Sequence, residues 1–198
     1  MALGKQAKIL SPKQAQLLLV YVANLRNGTR NTAIVLLSTK AGLRAKEIAE
    51  LRWEMLLCPD GTVGDAIHLT DMASKGRSGR TIPLNKQLKF VLNELIQYQI
   101  AKRSFSVERR VIQTERSDRT SPQAIVNMFG RWYSDLGFVG CSSHSGRRTF
   151  VTTAAKKAST VGGSLRDVQM LAGHASLQTT QRYIEADTDA QRKLVDIV

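Results

Sequence analysis

The chain has 198 residues, of which 42% are hydrophobic, which is enough for one domain with a sizeable core and argues against a disordered chain. Lys and Arg number 29 against 16 Asp and Glu, and the resulting net charge of +13 predicts a polyanionic partner, either nucleic acid or an anionic membrane surface. The sequence contains no run of about 18 apolar residues that could span a bilayer, and the two cysteines, Cys58 and Cys141, fit no disulfide or metal motif.

The first part of the chain predicts a leader and three helices. Residues 1–10 are assigned to a short flexible leader, and residues 11–198 to a single domain. A Ser-Pro-Lys-Gln stretch at residues 11–14 has the composition of a helix start with a capping box. A second helix follows and closes at Gly42, where a third begins. On its own, this helix–Gly–helix pattern also resembles half of a helix-turn-helix DNA-binding motif.

After the third helix the pattern changes to short β-type runs at residues 66–69 and 80–84, separated by a Gly- and Ser-rich turn. We expect a small antiparallel sheet of about three strands here. Residues 85–103 and 121–136 then show apolar residues at helical spacing, and the arginine-rich span between them is either a DNA-facing loop or a solvated surface loop. The prediction is a mainly α fold with a small antiparallel β-sheet, in the α+β class.

The last quarter of the chain carries the most informative pattern. His144 and Arg147 form an H-x-x-R pair at the start of a predicted helix, and His174 follows the Gly that ends another. Tyr183 lies nine positions after His174, in a further predicted helix that starts near Ser176. Each residue alone is a weak signal, because His is favoured at helix C-termini and a Tyr in an amphipathic helix is usually a packing residue.

Two basic residues upstream complete the pattern. Arg44 opens the third helix with Glu47 three positions later, and Lys75 lies in the Gly- and Ser-rich turn, where a lone Lys is usually just solvated. With the C-terminal pattern, they form a set that resembles the catalytic domain of the tyrosine site-specific recombinases, the phage-integrase family, from about residue 8 to the C-terminus. In family order this set is Arg44, Lys75, His144, Arg147, His174 and Tyr183.

The resemblance implies that DNA strands are cleaved and rejoined through a covalent 3′-phosphotyrosine, with no metal, ATP or other cofactor. Arg44 and Arg147 would grip the scissile phosphate, since a guanidinium stays charged and can bind two phosphate oxygens. Glu47 would support the placement of Arg44. Further arginines, expected to contact DNA on weaker grounds, are Arg77, Arg80, Arg148 and Arg182.

The other four residues of the set would divide the proton chemistry. Tyr183 would be the nucleophile, and His144 would take the proton of its hydroxyl. His174 would form a hydrogen bond with a non-bridging phosphate oxygen. A His suits both tasks because its pKa lies close to working pH. Lys75 would protonate the departing 5′-oxygen.

The chain departs from the family at its N-terminus, where typical members carry a separate helical core-binding domain and residues 1–10 leave no room for one. We expect either a natural minimal recombinase, similar in size to the fimbrial-switch invertases, or a catalytic domain taken from a longer protein. The expected partners are double-stranded DNA and, during strand exchange, three further copies in a homo-tetramer. The amphipathic tail at residues 190–198 would either dock onto a neighbouring copy, as such tails often do in this family, or pack against its own domain. The expected location is cytoplasmic and DNA-associated, without a membrane.

Two other functions stay open beside recombination. A type IB topoisomerase shares the fold and mechanism, although the spacing from His174 to Tyr183 favours recombinases. A basic DNA-binding regulator could keep the fold and use Arg44 and Arg147 only as phosphate anchors. For a recombinase of a mobile genetic element, integration, excision and inversion are all compatible with the pattern.

Overall fold

A computed structural model describes residues 7–73, 79–183 and 195–196. Within these ranges the chain forms eight α-helices, two short 3₁₀ turns and one sheet of two strands. The helices are α1 Pro12–Ala23, α2 Gly28–Lys40, α3 Ala45–Glu50, α4 Lys86–Ala101, α5 Pro122–Asp135, α6 Ser145–Lys157, α7 Leu165–Ala172 and α8 Leu177–Gln181; the strands are β1 Ala66–Leu69 and β2 Arg80–Pro83. The predicted mainly α fold with a small antiparallel sheet is confirmed. No helix in the described ranges is long and apolar enough to cross a membrane.

The helix starts follow from local sequence. Ser11 caps α1, with its hydroxyl accepting from the backbone N–H of Gln14 at 3.2 Å and the Gln14 side chain accepting in return at 3.0 Å. Ser121 caps α5 in the same way by accepting from Ala124 N–H. These bonds satisfy backbone donors that have no partner inside the helix. The predicted capping box is therefore present, and α1 ends at Ala23.

Helix α2 is the centre of the domain and packs against α1, α4 and α6. Its residues 33–37 are all fully buried, as expected for a helix covered on several sides by apolar neighbours. The chain leaves α2 through Gly42, whose φ of +66° suits glycine. A Cβ at this position would lie 2.4 Å from the ring of Phe150 on α6. This close approach brings the start of α3 next to α6, where the candidate residues of the site lie.

The sheet is smaller than predicted. β1 and β2 pair antiparallel, with Ile67 opposite Ile82 and Leu69 opposite Arg80. Of the expected third strand, the described residues keep only an isolated antiparallel bridge between Leu57 and Val63. The intervening residues form a tight turn in which Cys58 N–H donates to the carbonyl of Thr62.

The prediction that residues 1–10 form a flexible leader is wrong for residues 7–10. Leu10 is buried in the main core, and its backbone N–H donates to the hydroxyl of Thr149 on α6 at 2.9 Å. The N–H of Lys8 donates to the carbonyl of Gly140 at 3.0 Å. Residues 7–10 therefore belong to the domain, because long-range contacts that the local sequence does not reveal hold them against α6.

Candidate active site

The site is built around the carboxylate of Glu47, which lies in the first turn of α3 and is fully buried. Arg44, at the N-cap of α3, donates to it from its guanidinium at 2.9 Å and from its backbone N–H at 2.8 Å. Burial alone would raise the pKa of Glu47, but the hydrogen bonds and charges of Arg80 and Arg44 outweigh that effect and lower it. Glu47 is therefore an anion that fixes the guanidinium of Arg44 in place.

Arg80, which the sequence suggested on weaker grounds as a DNA contact, is the second partner of Glu47. Its two terminal nitrogens donate to the two carboxylate oxygens of Glu47 at 3.0 and 3.2 Å, a fork geometry that favours charge-assisted bonds. Its Nε donates to the carbonyl of Leu171 in α7 at 2.8 Å. Only 7% of the side chain is exposed. Arg80 thus lies inside the domain and ties β2 to α3 and α7.

Arg147, one turn into α6, holds two loops together. Its guanidinium donates to the carbonyl of Gly42 and to the carbonyl of Ala172, each at 2.5 Å. These are the segments that lead into Arg44 and His174. Burial, reinforced by the nearby charge of Arg44, lowers the pKa of Arg147 to about 10, so the group remains a cation at neutral pH. The two bonds use two of its five N–H groups, which leaves others for a phosphate oxygen.

His174 follows Gly173, whose φ of +62° ends α7. Its backbone is held on both sides by Gln169, which accepts from the His174 N–H at 3.1 Å and donates to the His174 carbonyl at 2.9 Å. The imidazole Nδ1 lies 3.0 Å from the hydroxyl of Thr180. Burial, and next the charges of Arg147, Arg44 and Arg80, lower the pKa of His174 to about 4. The ring is therefore neutral at physiological pH.

Tyr183 lies two residues beyond α8, with its ring packed on that of His174 at a centroid distance of 5.3 Å and an interplanar angle of 24°. Its backbone is tied at two points. The N–H donates to the carbonyl of Thr180 at 3.0 Å, and the carbonyl accepts from the hydroxyl of Thr152 on α6 at 3.1 Å. The predicted helix from Ser176 exists but ends before Tyr183.

The remaining predicted residues differ in how the structure places them. His144 is the exposed N-cap residue of α6, one turn before Arg147 on the same side of the helix. Arg148 is half-buried and Arg182 is exposed at the end of α8. Lys75 and Arg77 lie outside the described residues, as does the C-terminal tail except for residues 195 and 196.

The assembled groups favour an anion. Arg44, Arg80 and Arg147 contribute three positive charges and Glu47 one negative charge, which leaves two positive charges beside a neutral His174. A phosphate diester fits such a site because guanidinium groups bind its oxygens in a plane. In the described part of the chain no cluster of three or more His, Cys, Asp or Glu residues could hold a metal ion.

The sequence matches the model of the phage integrase family over residues 8–190. The chain belongs to the phage integrase family. Among its relatives, the tyrosine recombinase XerA of Pyrococcus horikoshii is 26% identical over 176 residues, which cover 88% of this chain and 57% of that protein. The tyrosine recombinase XerC of Thermodesulfovibrio yellowstonii is 28% identical over 162 residues, or 80% of this chain and 50% of the relative. This integrase-family chain spans about half the length of these relatives.

Solved structures agree on the fold of this integrase-family chain. A crystal structure of XerA recombinase superposes with a TM-score of 0.73 at 22% identity, over 94% of this chain and 63% of that one. A crystal structure of XerH recombinase bound to a palindromic difH substrate, a post-cleavage complex, also gives 0.73, at 19% identity over 96% of this chain and 52% of that one. At these identities the likeness shows the shared fold.

Three residues of the site were missed by sequence reasoning: Gln169, Thr180 and Thr152. Gln169 and Thr180 make buried hydrogen bonds to His174, and Thr152 makes a partly buried one to Tyr183. Thr180 could have been found from its spacing. It precedes Tyr183 by three residues, and residues three apart lie on the same side of a helix. For Thr152 and Gln169 nothing local distinguishes them from other polar helix residues.

The lowered pKa of His174 predicts that the domain loses stability on mild acidification. The unfolded chain takes up a proton on this residue near pH 6.5, whereas the folded chain does so only near pH 4. Between these values the unfolded state binds more protons, so the free energy of unfolding falls as the pH is lowered, by about 3 kcal/mol over the whole interval. Urea denaturation at pH 7, 6 and 5 measures this decline.

The matched pair of variants is His174→Gln and His144→Gln. We expect His174→Gln to flatten the decline, because its side chain takes up no proton in either state. The exposed His144 is not part of the buried cluster, so His144→Gln should keep the wild-type slope. An unchanged slope in His174→Gln would show that His174 is not the group responsible.

Proposed function

We propose that this protein is a site-specific DNA recombinase that cleaves and rejoins strands through a covalent 3′-phosphotyrosine on Tyr183. The observation that carries the proposal is the placement of the Tyr183 ring on a neutral His174, beside a buried cluster of guanidinium groups with net positive charge. Membership of the phage integrase family and relatives named tyrosine recombinases support it. So does the structural relative described as a post-cleavage complex with its DNA substrate.

The arginines would stabilise the negative charge of the reacting phosphate. A phosphodiester is an anion and a poor electrophile, and it gains negative charge on its oxygens when a nucleophile adds. Arg44 and Arg147 are held before DNA arrives, Arg44 by Glu47 and Arg147 by two backbone carbonyls. Donors fixed in advance need no reorganisation during the reaction, which makes this kind of stabilisation a large term in catalysis.

In the cleavage step the Tyr183 oxygen forms a bond to phosphorus and the bond from phosphorus to the 5′-oxygen breaks. The phenol proton passes to His144, and the 5′-oxygen takes a proton from Lys75, so that a free 5′-hydroxyl leaves. His174 donates a hydrogen bond to a non-bridging oxygen. Attack by another 5′-hydroxyl reverses these steps. The phosphotyrosine keeps the energy of the broken bond, so rejoining consumes no nucleotide triphosphate.

Double-stranded DNA is the proposed partner. The net charge of +13 suits phosphate contacts, which provide most of the sequence-independent affinity for DNA. Arg148, Arg182 and Arg77 are proposed DNA contacts, while Arg80 is proposed to position Glu47. Binding of a labelled duplex at rising salt tests the contacts: each charge removed, for example in Arg182→Gln, should lower the slope of affinity against salt by about one.

We propose that strand exchange takes place in a homo-tetramer on two DNA sites in the cytoplasm, with the C-terminal tail joining neighbouring copies. The structure describes only residues 195 and 196 of that tail, and Val195 there is exposed. Light scattering on the complex with two-site DNA should give a mass of four protein copies. A mass of two copies at saturation would exclude the tetramer.

The central prediction is that Tyr183→Phe abolishes the covalent complex and retains DNA binding, because it removes only the nucleophilic oxygen. The measurement uses labelled nicked duplexes tiled across the DNA that flanks the gene, in EDTA, with denaturing gels. The nick lets the 5′-hydroxyl fragment diffuse away and so traps the adduct. The half-exposed Tyr98 is the matched control, and Tyr98→Phe should trap DNA as the wild type does. Trapping by Tyr183→Phe, or binding without trapping by the wild type on every duplex, would contradict the proposal.

A second prediction tests whether Lys75 is the proton donor to the leaving group. If Lys75 protonates the leaving 5′-oxygen, Lys75→Ala should cleave an ordinary duplex about 10²–10⁴ times more slowly. A duplex with sulfur in place of that bridging oxygen should restore the rate, because a thiolate leaves without a proton. The control is Arg147→Gln, which the sulfur substrate should not rescue. A Lys75→Ala variant that stays slow on both duplexes would remove Lys75 from this role.

A further inference from the structure

Thr180 contacts both residues that face the proposed reaction, although neither the charge pattern nor the chemistry of cleavage requires it. It lies in α8 and is fully buried. Its hydroxyl lies 3.0 Å from Nδ1 of His174, and its carbonyl accepts the backbone N–H of Tyr183 at 3.0 Å. One residue therefore fixes the ring nitrogen of one partner and the backbone of the other.

The direction of the hydrogen bond between Thr180 and His174 follows from what else the hydroxyl can do. Among the described residues, His174 is the partner of the Thr180 hydroxyl. If Nδ1 carried the proton and donated, the hydroxyl proton of Thr180 would be buried without an acceptor, which is unfavourable. If the hydroxyl donates to a bare Nδ1, both groups are satisfied. Because the ring is neutral, its single proton then resides on Nε2.

The other contacts of His174 do not determine which ring nitrogen carries the proton. Gln169 holds the backbone of His174 through two hydrogen bonds, so it places the residue without selecting a ring nitrogen. Tyr183 covers the face of the ring, a contact that either tautomer makes equally well. The Thr180 hydroxyl is the contact that distinguishes the two nitrogens.

We propose that Thr180 is a positioning residue that fixes His174 in the Nε2–H tautomer and so presents a hydrogen-bond donor to the phosphate attacked by Tyr183. The inference rests on the proposed function for the phosphate, and on the hydrogen-bond geometry of a neutral ring for the tautomer. In the other tautomer, Nε2 would turn a lone pair toward an anionic oxygen. A site that loses one such donor is expected to react about 10²-fold more slowly.

Nuclear magnetic resonance of protein labelled with ¹⁵N-histidine tests the tautomer without any DNA. The chain has three histidines, so His174→Gln assigns the signals of interest. At pH 7 we expect the protonated-nitrogen signal on Nε2 in the wild type and in Thr180→Ser, which keeps the hydroxyl. Thr180→Val has nearly the same shape without the hydroxyl, and its His174 should move toward the Nδ1–H form. A wild-type protein with Nδ1–H, or a Thr180→Val variant with unchanged signals, would overturn the proposal.

Thr179 provides the matched control, since it is the adjacent Thr on the same helix and its hydroxyl bonds to Ser176 instead. In the covalent-trapping assay, single-turnover cleavage should fall about 10²-fold in Thr180→Val and stay close to wild type in Thr180→Ser and Thr179→Val. Equal rates in Thr180→Val and the wild type would overturn the positioning role. If wild-type protein forms no adduct, the proposed function fails, and the resonance experiment still decides the tautomer.

Discussion

The ion pairs of Glu47 connect three separate parts of the chain. Its carboxylate lies in α3 and is shared between Arg44 at the start of that helix and Arg80 on β2, whose Nε reaches on to the carbonyl of Leu171 in α7. A buried charge is stable only when it is paired and hydrogen-bonded. Glu47 meets this condition through two guanidinium groups, and each arginine in turn depends on Glu47. Removing the carboxylate would leave two like charges close together behind the site.

Arg147 adds a second connection of a different kind. It uses neutral carbonyls of Gly42 and Ala172 rather than an anion, so it is held in place while its charge is not cancelled. This difference has a functional consequence. Glu47 neutralises part of the cluster, whereas in the proposed reaction the charge of Arg147 stays available to the phosphate. Burial, and next the same cations, keep His174 neutral, which suits a residue whose proposed task is to donate a hydrogen bond rather than to carry charge.

Much of the fold could be predicted because its signals are local. The capping pattern at residues 11–14 and the apolar spacing of α4 depend only on neighbouring residues. The packed position of Leu10 could not be predicted, since its hydrogen bond joins it to Thr149 far along the chain. The third strand was overestimated because a β-type composition does not say whether a partner strand is long enough to pair.

The site was predictable to a similar extent, for a different reason. Family resemblance named residues that the structure brings together, because their order along the chain is itself the signal; they include Arg44, Arg147, His174 and Tyr183. It did not separate Arg80, which supports Glu47 from within, from arginines on the surface. Thr180 was equally hidden, since a Thr-Thr pair in the sequence does not show which hydroxyl is turned toward His174. Residues that act through other residues are visible only once long-range contacts are known.

Strand cleavage by Tyr183 requires that this residue becomes covalently linked to DNA. Mass spectrometry tests this directly: the trapped complex is digested with nuclease and protease, and each tyrosine-containing peptide is examined for an added nucleotide phosphate. The account predicts that the added mass lies on Tyr183 alone. The same mass on Tyr21, Tyr98 or Tyr133, or on a residue other than tyrosine, would contradict it.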